Sequence, residues 1–98
     1  RERVSLTCVL DVTARYLGLS VEDLAGQKRN AAINQARQIA MYLAREITDA
    51  SLPQIGDAFG GRAHTTILHG CNKIATDMLK DHSLRITVDA IRKQLVRS

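Results

Sequence analysis

The chain has 98 residues, a formal net charge of +4 and 3% aromatic residues, which predicts one small domain with an aliphatic core. No apolar run approaches the roughly 20 residues of a membrane-spanning helix, and no secretory signal peptide is visible. Because the first residue is Arg1 rather than methionine, we expect residues 1–98 to form a single domain that is a fragment of a larger protein.

Apolar periodicity predicts two helices and a short turn in the first half of the chain. The first helix ends near Gly18, and the short turn runs from Ser20 to Leu24 and is closed by Gly26. The other helix is long and runs from about Asn30 to Thr48. The polar and cationic residues 27–30 precede it and are predicted to form a loop. With the second half, the chain is predicted to have five or six helices.

Three more helices are predicted in the second half, at about Ser51–Phe59, Ala63–Lys80 and Thr87–Arg97. Ser51 and Gln54 have the spacing of a capping box at the start of the first of these. The predicted core face of the middle helix consists of Ile67, Leu68, Cys71, Ile74, Ala75 and Met78. No alternating strand pattern is present, so the predicted fold class is all-α.

The run SLPQIGDAFGGRAHTTILH, residues 51–69, is the most informative segment. It combines a short capped helix, a double-glycine turn at Gly60 and Gly61, and a second helix whose first turn has hydrogen-bonding side chains and no carboxylate. This arrangement is typical of a helix-turn-helix, in which the start of the second helix enters the major groove of DNA. The candidates for contacts with base edges are Ala63, His64, Thr65 and Thr66.

The charges are segregated along the chain. No acidic residue lies between Asp23 and Glu46 or between Asp57 and Asp77. The cations within these two segments are Lys28, Arg29, Arg37, Arg45, Arg62 and Lys73. Such a distribution favours one basic face that could bind phosphates, although an ordinary solvated surface is the alternative from charge alone.

The cysteines and histidines do not have the spacing of a metal site or a disulfide framework. Cys8 and Cys71 are far apart, which favours a reduced, cytoplasmic protein. His64 and His69 are five residues apart and do not share a helical face. Motifs for phosphate loops and nucleophile elbows are missing as well. We therefore predict no metal, no cofactor and no catalysis in this segment.

Residues 52–69, together with the run ARQIAMYLAR at 36–45 and the pair Lys73-Ile74, resemble the C-terminal DNA-binding domain of the bacterial replication initiator DnaA. The strong part of the resemblance covers about residues 28–75. It implies binding to double-stranded DNA at replication-origin boxes, a cytoplasmic and nucleoid-associated location, and regulatory proteins as further partners. The ATP-binding domain of that family would lie outside this chain.

The resemblance also implies roles for individual residues. His64, Thr65 and Thr66 match the family's base-reading set in the major groove, whereas Ala63 stands where the family has aspartate. Arg29, in the loop, matches an arginine that enters the adjacent minor groove. The predicted phosphate contacts are Lys28, Gln38, Arg45, Leu52, Pro53, Arg62, Thr66 and Lys73. For Arg62 the alternative is that it holds the turn together.

Two other functions compete with DNA binding. A helical module that docks another protein would need a contiguous apolar surface, which the polar face around Thr66, His69 and Lys73 argues against. A helix that binds anionic membranes would need a strongly basic face beside an exposed apolar one, and no stretch has both. We therefore expect weak or no membrane binding by this segment.

Overall fold

The computed structural model describes residues 4–97, and the chain forms six helices and no strand within that range. The helices are α1 (Leu6–Tyr16), α2 (Val21–Ala25), α3 (Ala31–Ile47), α4 (Leu52–Ala58), α5 (His64–Asp77) and α6 (His82–Arg97). This confirms the all-α fold class and the loop between α2 and α3.

Side chains cap the N-terminus of every described helix except α5. The capping residues are Ser5 for α1, Ser20 for α2, Asn30 for α3, Ser51 for α4 and Asp81 for α6. Each of these side chains accepts a hydrogen bond from the backbone N–H three residues later. Helix α5 begins after Ala63, whose methyl group cannot accept one. The N–H groups of the first turn of α5 therefore have no side-chain cap.

The core is built around α3. Ile39, Ala40 and Leu43 on this helix are buried, and α3 packs against each of the other five helices. It packs tightly against α5 at Gly70, where an added Cβ would lie 2.7 Å from the Met41 sulfur. The close contact of α3 with α5 fixes the position of the second helix of the predicted helix-turn-helix.

Helices α4 and α5 are joined by a turn that depends on backbone freedom. Gly60 and Gly61 have φ angles of +81° and +85°, a region that L side chains rarely adopt. The carbonyl oxygen of Gly56, on α4, accepts hydrogen bonds from the N–H groups of Gly61 at 3.0 Å and Arg62 at 2.9 Å. These bonds tie the turn to α4, so the direction of α5 is set by backbone atoms.

Two predictions about the second half of the chain are wrong. Helix α6 begins at His82 rather than Thr87, because the Asp81 carboxylate caps the N–H of Leu84 at 3.0 Å. Ala75 is exposed rather than part of the core face of α5, since it lines a surface cleft beside Tyr42. No helix between residues 4 and 97 has the length and apolar character needed to cross a bilayer.

Candidate nucleic-acid interface

The start of α5 presents the predicted base-reading residues to solvent. Ala63, His64, Thr65 and Thr66 are all exposed, and they occupy the N-cap and the first turn of the helix. A helix N-terminus carries a partial positive charge and unpaired N–H groups that attract anions. This end of α5 therefore offers side-chain hydrogen-bonding groups and open backbone donors on one surface.

A surface cleft between α3 and α5 brings together residues that are distant in the sequence. Arg29 from the loop, Gln38 from α3 and Thr66 from α5 line the same cleft. Arg62 and His69 line it as well. The structure thus places four of the predicted DNA contacts beside one another, on two helices and two connecting segments. His69 was not predicted as a contact, although its position three residues after Thr66 puts it on the same ridge of the helix.

The sequence places Arg37 among the cations of one basic face. In the structure its side chain is buried, with only 5% of the residue exposed, so it does not contribute to an exposed basic face. Its Nε donates to the carbonyl oxygen of Leu24 at 2.9 Å. Its Nη2 donates to the carbonyl oxygens of Asp23 at 2.9 Å and Gly26 at 2.8 Å. The pKa of Arg37 is lowered, first by burial and then by the positive charge of Arg62, yet an arginine remains charged.

Arg62 makes similar contacts from the turn before α5. Its Nη2 donates to the carbonyl oxygen of Gly26 at 2.8 Å. Its Nη1 donates to the carbonyl oxygen of Phe59 and, at 3.5 Å, to that of Ala25. These bonds are the geometry expected if Arg62 holds the turn together. A phosphate contact by Arg62 stays a prediction.

Two of the predicted phosphate ligands are engaged in ion pairs. Lys28 Nζ lies 3.1 Å from a carboxylate oxygen of Asp23, and Lys73 Nζ lies 2.9 Å from one of Asp77. The pKa of Asp23 is lowered, first by the hydrogen bond from the Ser20 backbone and then by Lys28. Both lysines are substantially exposed, so each ammonium group can also reach an approaching phosphate.

The remaining predicted phosphate contacts lie on α3 and at the start of α4. Arg45 and Pro53 are exposed, whereas Leu52 and Gln38 are half-buried. Residues 4–97 contain no group of three or more histidine, cysteine, aspartate and glutamate side chains that could hold a metal ion.

A family model described as the bacterial DnaA protein helix-turn-helix matches residues 6–74, which is most of the chain and includes α1 to α4 and most of α5. The chain belongs to this DnaA helix-turn-helix family. A helix-turn-helix of this kind is a binding domain rather than a catalytic one. The matched residues include the turn at Gly60 and Gly61 and the exposed start of α5.

Individual DnaA proteins support this assignment. The chain is 44% identical over 96 residues to the chromosomal replication initiator protein DnaA of Levilactobacillus brevis. It is 47% identical over 94 residues to the protein of the same name from Lactobacillus delbrueckii subsp. bulgaricus. These alignments cover 98% and 96% of this chain but only 21% of each relative. The chain therefore spans about a fifth of the length of these DnaA proteins.

A solved structure has the same fold as this DnaA-family chain. It is described as the crystal structure of a DNA replication initiation factor and aligns with a TM-score of 0.76 at 30% sequence identity. The alignment covers 92% of this chain and 29% of the other. The likeness therefore extends beyond the helix-turn-helix to nearly the whole helical domain.

Proposed function

We propose that this domain binds double-stranded DNA at replication-origin boxes, with the start of α5 in the major groove and the basic loop, residues 27–30, in the adjacent minor groove. The observation that carries the proposal is the cleft in which Arg29, Gln38 and Thr66 meet. One residue reads from the loop, one anchors from α3 and one stands at the reading end of α5. Membership in the DnaA helix-turn-helix family supports the same function.

Base reading in the major groove is assigned to four residues at the start of α5. The hydroxyl groups of Thr65 and Thr66 can donate or accept hydrogen bonds, and their methyl groups can pack against a thymine methyl. His64 can bond to a base edge through a ring nitrogen. Ala63 can contact a thymine methyl but cannot accept a hydrogen bond from an amino group of cytosine or adenine, so one base pair of the box should be read less stringently.

Arg29 is assigned to the minor groove because it is exposed in the loop and lines the cleft that leads to α5. A guanidinium suits a narrow A·T-rich minor groove, where the negative potential of the DNA is enhanced. The two grooves flank one strand of phosphates. A loop and a helix start that share a cleft can therefore enter adjacent grooves of one duplex.

Anchoring to the phosphates is assigned to residues around this cleft and on the exposed side of α5. These residues are Lys28, Gln38, Arg45, Leu52, Pro53, Arg62, Thr66 and Lys73. Leu52 would act through its backbone N–H at the start of α4, whereas Pro53 has no N–H and would contribute a nonpolar contact beside it. Phosphate contacts fix the register of a protein on the duplex and do not by themselves read the sequence. They also make binding weaker as the salt concentration rises.

Membership in the DnaA helix-turn-helix family also supports a proposal for the whole protein, which is initiation of chromosomal replication. As part of a chromosomal replication initiator, the domain would deliver its protein to the origin in the cytoplasm, associated with the nucleoid. Residues 1–98 would form one DNA-binding unit of that protein. ATP binding is assigned to segments outside this chain. Regulatory proteins are further partners, and this segment contributes weak or no membrane binding.

The test begins with selection of a preferred box from random duplexes, followed by titrations of that box and of a scrambled duplex over a series of salt concentrations. Thr65→Ala should erode discrimination between the two duplexes, because a base contact is worth roughly 1–3 kcal/mol. Lys73→Ala should weaken both about equally and lower the salt slope by about one unit.

A matched control is Lys93→Ala, which removes an exposed cation from α6 without touching the cleft. It should change neither discrimination nor the salt slope by much. A domain that docks another protein instead would show no steep salt dependence on duplex DNA. If Thr65→Ala and Lys73→Ala have the same effect, α5 does not face the bases as proposed.

A further inference from the structure

The C-terminal end of α2 concentrates an unusual number of arginine contacts. A helix leaves its last carbonyl groups without partners inside the helix, and α2 has only five residues. Four consecutive carbonyl oxygens at its end, those of residues 23–26, accept hydrogen bonds from only two side chains, Arg37 and Arg62. We call this group of contacts the carbonyl clamp.

The carbonyl clamp joins three elements at a single atom. The carbonyl oxygen of Gly26 accepts a hydrogen bond at 2.8 Å from Arg37, on α3, and another at 2.8 Å from Arg62, in the turn before α5. Gly26 immediately precedes the basic loop, and Arg62 immediately precedes Ala63, the N-cap of α5. Each proposed DNA-reading element therefore begins one residue from this junction.

The backbone itself is close-packed at the junction. A Cβ added to Gly60, in the turn, would lie 2.3 Å from the carbonyl oxygen of Ala25, so the turn and the end of α2 are in direct contact. The other end of the loop is fixed as well, because the Asn30 side chain accepts a hydrogen bond from Ile33 N–H at 2.9 Å. Residues 27–30 thus form a short loop with both ends held.

The clamp and the turn use three of the five guanidinium donors of Arg62, which leaves two for the phosphate contact proposed above. Both terminal nitrogens of Arg62 donate to main-chain carbonyls. Burial, and after it the positive charge of Arg62, lowers the pKa of Arg37, and the negative end of the α2 dipole offsets part of the repulsion between the two guanidiniums. The planar guanidinium fork reaches two carbonyls at once, whereas a lysine ammonium is a point charge on a flexible stem.

From these contacts we propose that Arg37 and Arg62 are positioning residues that fix the basic loop relative to the start of α5, so that Arg29 and Thr65 engage one box together. This inference rests on the DNA-binding function proposed above. Arg62 would then act by holding the basic loop at a fixed position relative to the start of α5. The proposal has a measurable consequence, since the contribution of Arg29 should depend on an intact clamp.

The test is a double-mutant cycle on box binding with Arg29→Ala and Arg62→Lys, which keeps the charge at residue 62 but loses the fork. In the parent, Arg29→Ala should weaken box binding by about 10- to 100-fold. In the Arg62→Lys background the same substitution should cost less than about threefold, because Arg29 is no longer held in register. Equal losses in both backgrounds would overturn the proposal.

Arg85→Lys is the matched control, since Arg85 is an exposed arginine on α6 outside the clamp and outside the cleft. The loss caused by Arg29→Ala should be undiminished in that background. The salt slope of Arg62→Lys should equal that of the parent, because the charge is retained. Additive losses at an unchanged slope would leave Arg62 with the phosphate contact alone and no positioning role.

A second variant leaves the clamp chemically intact and does not depend on whether Arg62→Lys folds. One glycine inserted between Gln27 and Lys28 lengthens the loop at an exposed position, where insertions are tolerated. Arg29→Ala should again cost less than about threefold in this background. A full loss there would contradict the proposal even if the first variant were unfolded.

Different results would refute the proposed DNA-binding function and the positioning role of the carbonyl clamp. If the parent domain does not discriminate the selected box from a scrambled duplex, the proposed function fails and the positioning role fails with it. If the parent discriminates and Thr65→Ala erodes that discrimination, but the Arg29 and Arg62 effects are additive, DNA reading stands and only the carbonyl clamp is refuted.

Discussion

The two helices of the helix-turn-helix begin in opposite ways. At the start of α4, the Ser51 hydroxyl accepts from the Gln54 N–H at 3.2 Å, and the Gln54 side chain accepts from the Ser51 N–H at 2.8 Å. Helix α5 begins at Ala63 with no side-chain cap, and its first three residues are exposed. The first helix is closed by its own side chains, whereas the second is left open at the end that faces outward.

The difference indicates a division of labour between the two helices. Helix α4 is short and holds the turn, with Ile55 and Phe59 fully buried. Helix α5 is twice as long, and its contact with α3 around Gly70 supports it from behind. Because α3 holds it, α5 keeps its position even though no side chain caps the backbone N–H groups of its first turn. The capped start suits a helix that holds the turn, and the open start suits the DNA-reading role proposed for α5.

The largest effect should come from Gly56→Ala, which disturbs the contact between α4 and the turn. An added Cβ would lie 2.1 Å from the carbonyl oxygen of Arg62, so the turn must move, and we expect a loss of about 3 kcal/mol in unfolding free energy. Gly61→Ala is the control: its φ is positive, but nothing lies within 4 Å of the new Cβ. It should cost about 1–2 kcal/mol. Urea unfolding followed by circular dichroism measures both, and equal losses would contradict the close contact.

Removal of the cap of α4 should have a smaller effect on the same scale. Ser51→Ala deletes the acceptor for the Gln54 N–H and should lower the unfolding free energy by about 1 kcal/mol. The matched substitution Thr65→Ala, in the uncapped first turn of α5, removes no described cap and should change stability by much less. A comparable loss from both substitutions would mean that α5 depends on its first-turn side chains as α4 does.

Ala63→Asp should convert the open helix start into a capped one. An aspartate at the N-cap accepts from a first-turn N–H and should raise the unfolding free energy by up to about 1 kcal/mol. Toward DNA, the carboxylate should repel phosphates on a random duplex but add roughly 1–3 kcal/mol of discrimination at one base pair. Binding to the selected box and its single-base variants measures this. An unchanged preference at every position would show that residue 63 does not face the bases.

The smallest effect should come from Asp77→Asn, which releases Lys73 from its exposed ion pair. One negative charge is removed from the DNA-facing helix, so affinity for box and scrambled duplexes should rise together by about threefold at moderate salt. Asp89→Asn, on α6, is the control for a change in net charge alone. A gain confined to the box would place Lys73 among the base readers.

Local signals in the sequence predicted most of the fold. The capping box at Ser51, the loop before Asn30 and the glycine pair at the turn are each a few residues long, and the structure confirms all three. The start of α6 was readable in the same way, because Asp81 has the N-cap chemistry that begins a helix. That prediction failed because apolar spacing was given more weight than the cap.

Long-range contacts set the limit of prediction at the candidate site. The sequence groups Arg37 with the surface cations. In the structure it has one local side-chain partner, Asn34, and three main-chain carbonyl partners that lie 11 to 14 residues away in sequence. A carbonyl has no side-chain signature, so no pattern could pair it with that arginine. The meeting of Arg29 with Thr66 in one cleft likewise depends on how α3 crosses α5. The sequence predicts which residue types form the candidate site, but it does not predict which of these residues lie close together in space.

The buried thiol of Cys71 can serve as a probe of local opening of the domain. It lies between α5 and α3, where its sulfur donates to the Met41 carbonyl oxygen at 3.3 Å, and burial raises the pKa of the thiol. A thiol in this state reacts with an alkylating reagent only when the two helices separate. With Cys8 replaced by serine, labelling at residue 71 reports the separation of α5 from α3, and its rate equals the opening rate when alkylation is faster than reclosing.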